Sequence, residues 1–525
     1  MTNYKKNAYF YATIVAMGGF VFGIDAALIS GTTNYLTEEF GLTNIELGWA
    51  VGSAAWGVLL ALLFVGFAVN RIGRKRLLQI SAAVYLISAL GSAFATNYWM
   101  FVSARFFGGL AFSSISMAAM YTGEIAPPKW RGKLVAMIQI NIVVGLSAAY
   151  FINYLIQNWA NSGAEWVSDL GIDTNTWRWM LGSEIIFALL WFILLFTIPR
   201  SPVWLVLKGK IEEAKDTLRK VLPENEVTDQ IAEMKESLKS TGGERSDWEQ
   251  FKEVFSKPMR ITFIIAATLA IAQQATGINA ILFYAPTVFE QLGMGTDAAF
   301  SQAIWIGVIS VIFTVLGLLV VDKIGRRPMI LGGMLWIIIS LGICFYGFNS
   351  ANYSISKNDI SELTEIPNAE RLTILVDKSY ESDIAFKEAL TESIGQAEAK
   401  KHSSVLLQKA ANINGLLILI GILSFIAAFQ STIGPVMWVL FSEIFPISNR
   451  GIAIPIFVFL TSITSSFVQT FFPWQLENLG IGSTLLFYAS TVAIGLVILF
   501  IYLKETKNLT IEEVQLALAP KKKLK

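Results

Sequence analysis

The chain of 525 residues is poor in the residue types that build most catalytic and metal centres, with one cysteine, Cys344, and one histidine, His402. A lone cysteine closes no intramolecular disulfide, and a lone histidine builds no histidine-based metal site. Charge is equally sparse. Charged residues make up 15% of the chain, against about 25% in an ordinary soluble domain. The formal net charge of +1 excludes a strongly basic nucleic-acid binder and a polyacidic chain alike. No nucleophile–base pair, metal cluster or phosphate loop stands out, so neither an enzyme, nor a cofactor, nor a metal site is expected. Apolar residues are abundant instead: 54% of the chain, including 36 Phe and 15 Trp. A water-facing surface could not cover that mass, whereas lipid tails accept apolar side chains on the outside of a fold.

Crossing a bilayer as a helix takes roughly 20 apolar residues. Segments of that size fall near 9–30, 47–69, 77–95, 99–121, 134–156 and 178–198, then near 261–285, 301–321, 328–349, 412–438, 450–472 and 484–503. The first follows Lys5 and Lys6 like a signal peptide, but it is too long for an h-region and lacks an A-x-A cleavage site, so it reads as a retained span. The interval 200–260 is polar, charged and helix-prone. The expected fold is therefore an all-α integral membrane protein of twelve helices in two six-helix halves. Its parts are an N-terminal half (1–198), a helical linker (199–260), a C-terminal half (261–503) and a tail (504–525).

Lys and Arg placement sets the expected orientation. The connections 31–47, 96–98, 157–176, 287–300 and 473–483 contain neither residue, whereas the alternate ones carry Arg71, Arg74, Lys75 and Arg76, then Lys129, Arg131 and Lys133, then Lys323, Arg326 and Arg327, then Arg450. Both termini and the linker are thus expected in the cytoplasm, in a multi-pass protein of the cytoplasmic membrane. The basic end PKKKLK (520–525) suits anionic inner-leaflet lipid.

The halves repeat each other. NRIGRK (70–75) recurs as DKIGRR (322–327), and GEIAPPKWRG (123–132) as SEIFPISNRG (442–451). The first pair is offset by 252 residues and the second by 319, so an insertion of 67 lies between 331 and 442. The polar run 350–411, with ten acidic and seven basic residues, fills that place on the outer side as a cap; DIAFKEALTESIGQAEAKK within it reads as helix, and His402 as solvated. The repeated arginines also suggest a cytoplasmic gate beyond their orienting role. Arg71, Arg74, Arg131, Arg326 and Arg450 can pair with helix C-termini and with Glu124 or Glu443, latching the halves together until they rock apart.

Polar residues inside the spans carry the functional signal. Gln273, Gln274 and Asn279 are three amides flanking Gly277 in an otherwise apolar segment. Hydrocarbon satisfies none of their donors or acceptors. Interhelical bonding would explain one such amide, but a fan of three suits a wet cavity lined for sugar hydroxyls. Three charges are also intramembrane: Asp25, Arg105 and Glu184 each fall about six residues below the outer surface, near ~9 Å deep. Two carboxylates then share one guanidinium, so the second stays wet or takes up a proton. The alternative is a static ion-pair network.

The ordered stretches PRSPVWL (199–205), QQATGINAILFYAP (273–286), GPVMWVLFSEIFP (434–446) and KETKNLTIEE (504–513), with the repeated motifs, resemble the sugar porter family of the major facilitator superfamily. That family includes bacterial xylose–proton symporters and animal facilitative glucose transporters. The resemblance implies that Gln139, Gln273, Gln274 and Asn279 bind sugar, that Phe22 and Trp438 wall the site, and that Phe283 and Gly434 adjoin it. It further implies proton coupling, since proton-coupled members have Asp at the place of Asp25 and Arg at that of Arg105. Departures are visible at Phe283, where Tyr is usual, at Ser310, at Thr461 and Ser462, and at Ala111 and Ser113, which replace glycines. The cavity should be roomier or less polar at Phe283, Ser310, Thr461 and Ser462, whereas Ala111 and Ser113 bear on the close packing of the fourth span.

The expected function is monosaccharide–proton symport by alternating access, with sugar, proton and lipid as the only partners and no obligatory protein or nucleic acid. A uniporter of the same fold is the alternative. A sugar receptor would need a signalling tail, and only 22 residues follow 503.

Overall fold

The computed structural model of the chain describes residues 3–518, apart from 128–129, 242–246, 364–365, 367–368, 447–448 and 510. The basic segment 520–525 lies outside the described residues. Among the described residues, eleven helices are long and apolar enough to cross a membrane. The last, Arg450–Tyr502, has 53 residues, which as one rod would be about 80 Å long. It turns at Gly480, whose φ of 74° and ψ of 163° leave the helical region, and so supplies the eleventh and twelfth crossings (450–479 and 481–502). The expected two sets of six are thus present, with the linker between them.

The first and fourth spans of each half are interrupted. The first span ends in a 3-10 turn, Ile29–Gly31, and the fourth is split into Tyr98–Ala111 and Ser114–Ile125. The seventh is split into Arg260–Gln274 and Ile278–Phe283 and is followed, beyond the crossing, by the short helix Ala285–Glu290, and the tenth is split into Gly415–Ser431 and Ile433–Ile444. Pro286 and Pro435 lack the N–H that would continue the ladder, so two of these breaks have a local cause. Broken spans expose backbone groups and side chains inside the bundle, which a membrane tolerates only beside a cavity or other protein.

The linker folds against the N-terminal half. Leu205, Leu218, Val221 and Ile231 join one buried core with Ala12, Leu78, Tyr121 and Trp191, and this core holds no residue of the C-terminal half. At the opposite end the halves share a core in which Ile24 and Tyr150 meet Tyr284 and Ile306. Bonds cross between the halves there. The Tyr150 hydroxyl donates to the Leu282 carbonyl at 2.6 Å, and the Trp56 indole to Thr470 Oγ1 at 3.1 Å. The Gln157 and Asn161 amides donate to Asp297 at 3.2 and 2.8 Å. Gly48 makes the approach possible: a Cβ there would lie 1.8 Å from the Thr470 carbonyl oxygen. The halves therefore close on the side away from the linker.

That side also carries the insertion 350–411, a small unit with its own core of Tyr353, Phe386, Leu390, Leu406 and Leu407. Its central strand β1 (Asn352–Ser354) is flanked by β2 (Ser379–Tyr380) and β3 (Ala411–Asn412), both antiparallel to it. The expected helix is present as Asp383–Ile394 and Gln396–Lys401, divided at Gly395, where φ is 88°. The strands were not anticipated. His402 is half-buried within ion-pair distance of Glu398, at 3.3 Å, rather than solvated. The cap rests on the C-terminal half: Lys387 donates to Gln291 at 2.8 Å, and the site of a Cβ on Gly480 lies 2.8 Å from Asp383 Oδ1.

Candidate functional site

The seventh span breaks where the amides cluster. Gly277 has φ 79°, a left-handed conformation, and a Cβ on it would lie 2.3 Å from the Tyr488 ring. Any larger residue is excluded by both backbone and space. The break turns Gln274 and Asn279 toward each other, and Asn279 Nδ2 donates to Gln274 Oε1 at 2.9 Å. Gln274 in turn donates to Gln273 Oε1 at 2.8 Å, and Gln273 reaches the Gly434 carbonyl at 3.5 Å. Asn279 also donates to Ser465 Oγ at 2.7 Å, as does Gln469 Nε2 at 2.7 Å. A chain of neutral donors and acceptors thus joins the seventh, tenth and eleventh spans. Each bond is one that a hydroxyl-rich ligand could exchange for its own.

Phe283 is buried one turn after Asn279 in the same short helix, and Trp438 is 44% exposed one turn beyond Gly434. Gln139 and Phe22 belong to the other half; both are half-buried, and Phe22 packs edge-on against Phe112 at 4.9 Å. The structure gives Gln139 no hydrogen bond to the amide chain. Ser465 and Gln469 join the chain, whereas the resemblance points to Thr461 and Ser462. Those two hydroxyls, like that of Ser310, donate to the carbonyl four residues back in their own helix. The spacing 461, 465, 469 places all three on one helical face, a signal available in the sequence.

The intramembrane charges do converge. Arg105 donates through Nη1 to Asp25 Oδ1 in a direct ion pair, and both side chains are buried. Glu184 is buried nearby and within electrostatic reach of both. It is not bonded to the guanidinium as a shared partner. The Tyr85 hydroxyl donates to its Oε2 at 2.7 Å. Arg105 Nε and Nη2 have no hydrogen-bond partner among the described residues, so the guanidinium keeps donors to offer. Tyr85 lies on the third span, and nothing in its sequence neighbourhood pointed to it.

Two of the gate arginines, Arg74 and Arg326, pair within their own halves. Arg74 holds Glu124 at 2.8 Å and Arg326 holds Glu443 at 2.8 Å. A hydroxyl from the segment after each half completes the arrangement: Ser201 donates to Glu124, and Thr506 to Glu443 at 2.5 Å. These hydroxyls lie in PRSPVWL and KETKNL, so the motifs that looked separate form one repeated brace. Glu505 adds to it by accepting from the backbone N–H of Arg326 and Arg327 at 3.0 and 3.1 Å, at the start of the ninth span. Arg450 donates to the Phe445 carbonyl at 3.1 Å, and Arg71 is exposed. The Arg131 side chain lies outside what is described.

Comparison with known proteins places this architecture. A family model described as "Sugar (and other) transporter" matches residues 11–359 and 399–518. The chain belongs to this sugar transporter family. The D-xylose–proton symporter of Escherichia coli K12 is 32% identical over 99% of this chain and 98% of that protein. The arabinose–proton symporter of Bacillus subtilis is 28% identical over 95% and 92%. The solved inward-open structure of the E. coli xylose transporter aligns with a TM-score of 0.73 at 30% identity, covering 97% of this chain and 99% of that one. The same transporter bound to 6-bromo-6-deoxy-D-glucose gives 0.69 at 30% identity, covering 98% and 99%. The family match skips 360–398, the middle of the cap.

Proposed function

We infer that this sugar transporter carries a monosaccharide, hexose or pentose, in symport with a proton, with the linker and both termini in the cytoplasm. The observation that carries the reading is the buried Asp25–Arg105 pair with Glu184 beside it, two carboxylates against one guanidinium. Protonation of one carboxylate balances the cluster, and deprotonation unbalances it, so the cluster's energy depends on which side supplies the proton. The neutral chain from Gln273 to Gln469 is the proposed sugar site, with Gln139, Phe22, Phe283, Gly434 and Trp438 around it. Sugar and proton enter from the cap side, the halves close there, and both leave toward the linker. The two Arg–Glu–hydroxyl braces keep the ends of the helices in each half together while the halves rock.

A uniporter reading has one observation in its favour. The ion pair of Asp25 is direct and closed, which a purely structural pair would also be. Liposomes holding a pH-sensitive dye separate the two. Symport predicts that uptake of a pentose or hexose acidifies the lumen and that sugar accumulates when the outside is acidic. Sugar equilibration without acidification would establish the uniporter, and failure to move any sugar of a broad panel would remove both.

A further inference from the structure

The bonds that hold the cap-side gate shut include a carboxylate with no cation. Glu290 ends the short helix Ala285–Glu290, which lies beyond the apolar crossing Arg260–Phe283, and is 4% exposed. Both its oxygens accept from Asn34 Nδ2, at 2.9 and 3.1 Å, across the boundary between the halves. One turn earlier, Thr287 Oγ1 meets Thr33 Oγ1 at 3.1 Å across the same boundary. The charged and titratable groups around Glu290 are few. Tyr35, next to Asn34, gives its hydroxyl to Gln157, while Asp297 at the start of the eighth span is held by Gln157 and Asn161. Thr296 bonds the Glu290 carboxyl. From the cap, Lys387 turns its ammonium to Gln291 and to Asp383. Among the described residues, no lysine, arginine or histidine forms an ion pair with Glu290. The connections 31–47, 157–176 and 287–300 that meet here contain no Lys or Arg at all.

We propose that Glu290 is a second proton-binding site of the transporter, built into the outer gate and occupied when that gate closes. The proposal rests on the alternating-access reading above. With the halves together, Glu290 loses its water and receives only neutral donors, which favours the uncharged acid. Burial pushes its carboxyl above the usual range, and the bonds from Asn34 and Thr296 only partly offset that. The neutral acid keeps an oxygen for the Asn34 amide and gains an O–H to donate. When the halves part on the outer side, Asn34 leaves with the N-terminal half, Glu290 meets water, and the proton returns to the outer medium. This proton is taken from and given back to the same side, so it changes no transport stoichiometry. What it changes is the balance between states. A group whose affinity for protons rises on closure stabilises the closed gate fully below its ordinary carboxyl value, and loses that effect as pH rises through the raised one. External acid, which drives the proposed symport, then also favours outer closure.

The test reads the gate directly, by electron–electron distance between spin labels on exposed outer positions of the two halves, Ser168→Cys and Glu477→Cys, with Cys344→Ser. Asp25→Asn is added so that the ion-pair cluster titrates less, and the protein is examined in nanodiscs from about pH 5 to about pH 8, above the ordinary carboxyl value of about 4.3. The closed population should fall as pH rises. Adding Glu290→Gln, a permanently neutral side chain that still bonds Asn34, should leave it closed and flat across that range. Asn34→Asp, which places a second carboxylate against Glu290, should move the midpoint up by about one pH unit or more, a shift that a merely structural role would not produce. A pH-independent population in the parent, or an unchanged slope after Glu290→Gln together with an unshifted midpoint after Asn34→Asp, overturns the proposal. Labels that keep one distance under every condition would count against alternating access itself. In liposomes, Glu290→Gln made alone, with Asp25 intact, should leave the proton-to-sugar ratio of the unaltered transporter, whereas a halved ratio would make Glu290 a transported-proton site and overturn the gate assignment.

Discussion

The two halves of the molecule solve different problems with different polar groups. In the N-terminal half the buried polar cluster is ionic: Asp25 and Arg105 are paired, with Glu184 held by Tyr85. In the C-terminal half, apart from Glu290 at the outer gate, it is neutral: Gln273, Gln274, Asn279, Ser465 and Gln469 bond one another, and Thr314 donates to Gln430 at 3.2 Å. The contrast follows from what each group can exchange. An amide or hydroxyl swaps one partner for another at little net cost, because each bond lost is replaced by one of similar strength. A buried carboxylate changes its charge instead, and so stores a proton. Under the proposed function the neutral half reads the sugar and the ionic half reads the proton. Rocking the halves couples them without requiring the two ligands to touch.

The largest expected effect comes from removing the charge from the ionic half. Asp25→Asn keeps the shape of the protonated carboxyl and cannot release a proton. Each unit of pH difference is worth about 1.4 kcal/mol, so one proton per sugar supports up to about tenfold accumulation. The variant should accumulate none, while still binding sugar and exchanging it across the membrane. Measuring lumenal pH together with labelled sugar decides it: sugar-dependent acidification equal to that of the parent would dissolve the contrast between the halves.

Truncating the neutral half should give a graded loss instead. Gln274→Ala and Asn279→Ala each remove an amide expected to bond a sugar hydroxyl, worth about 0.5–1.5 kcal/mol net, or roughly a two- to tenfold weaker Kd. Lumenal acidification per sugar should stay as in the parent. Calorimetric titration showing unchanged affinity in both variants would move the sugar elsewhere. Ser465→Ala is predicted to be milder, about two- to fourfold, because Ser465 touches the chain only through Asn279 and Gln469. If instead Ser465→Ala shifts the order of preference among sugars, the eleventh span sets specificity as well as affinity.

The physical reach of the sequence explains what was and was not foreseen. A bilayer demands about 20 apolar residues per crossing, so the spans were legible, as were the duplicated motifs. The merged helix 450–502 needed the structure only to show where it turns. Partners were less legible, because they depend on which helices face one another. Arg74 and Arg326 announced ion pairs, but pairing inside each half, with Ser201 and Thr506 completing it, depends on where the segments after each half return. Tyr85 is unremarkable in sequence and acquires meaning only against Glu184. Ser465 and Gln469 carried a faint helical periodicity that was overlooked because family resemblance drew attention to Thr461 and Ser462. The breaks in the fourth and tenth spans also went unread; Phe112–Ser113 contains neither glycine nor proline to mark it.

The cap offers the smallest effect and the sharpest control on the comparison, since it belongs to one half only. Strand β1 pairs with β3 through Asn352 and Asn412, which brings the two ends of the unit to within about 5.5 Å between Cα atoms. Replacing 355–410 with three or four Gly-Ser residues therefore closes a hairpin without stretching the ninth and tenth spans. The deletion removes a self-contained core and, among the described residues, uncovers contacts on Gln291, Gly293, Gly295 and Gly480. Because the cap moves with the C-terminal half, its loss should not alter the relative motion of the halves. Uptake should stay within about two- to threefold of the parent, with a melting temperature lower by roughly 2–4 °C for each kcal/mol of packing lost. Abolished uptake at normal membrane levels would mean that the cap positions the outer end of the seventh span. Lys387→Ala, which breaks its bond to Gln291 and leaves the cap's own core in place, should then reproduce the loss. An intact Lys387→Ala transporter beside an inactive deletion would locate the requirement in the turn at Gly480, against which Asp383 packs, rather than in the seventh span.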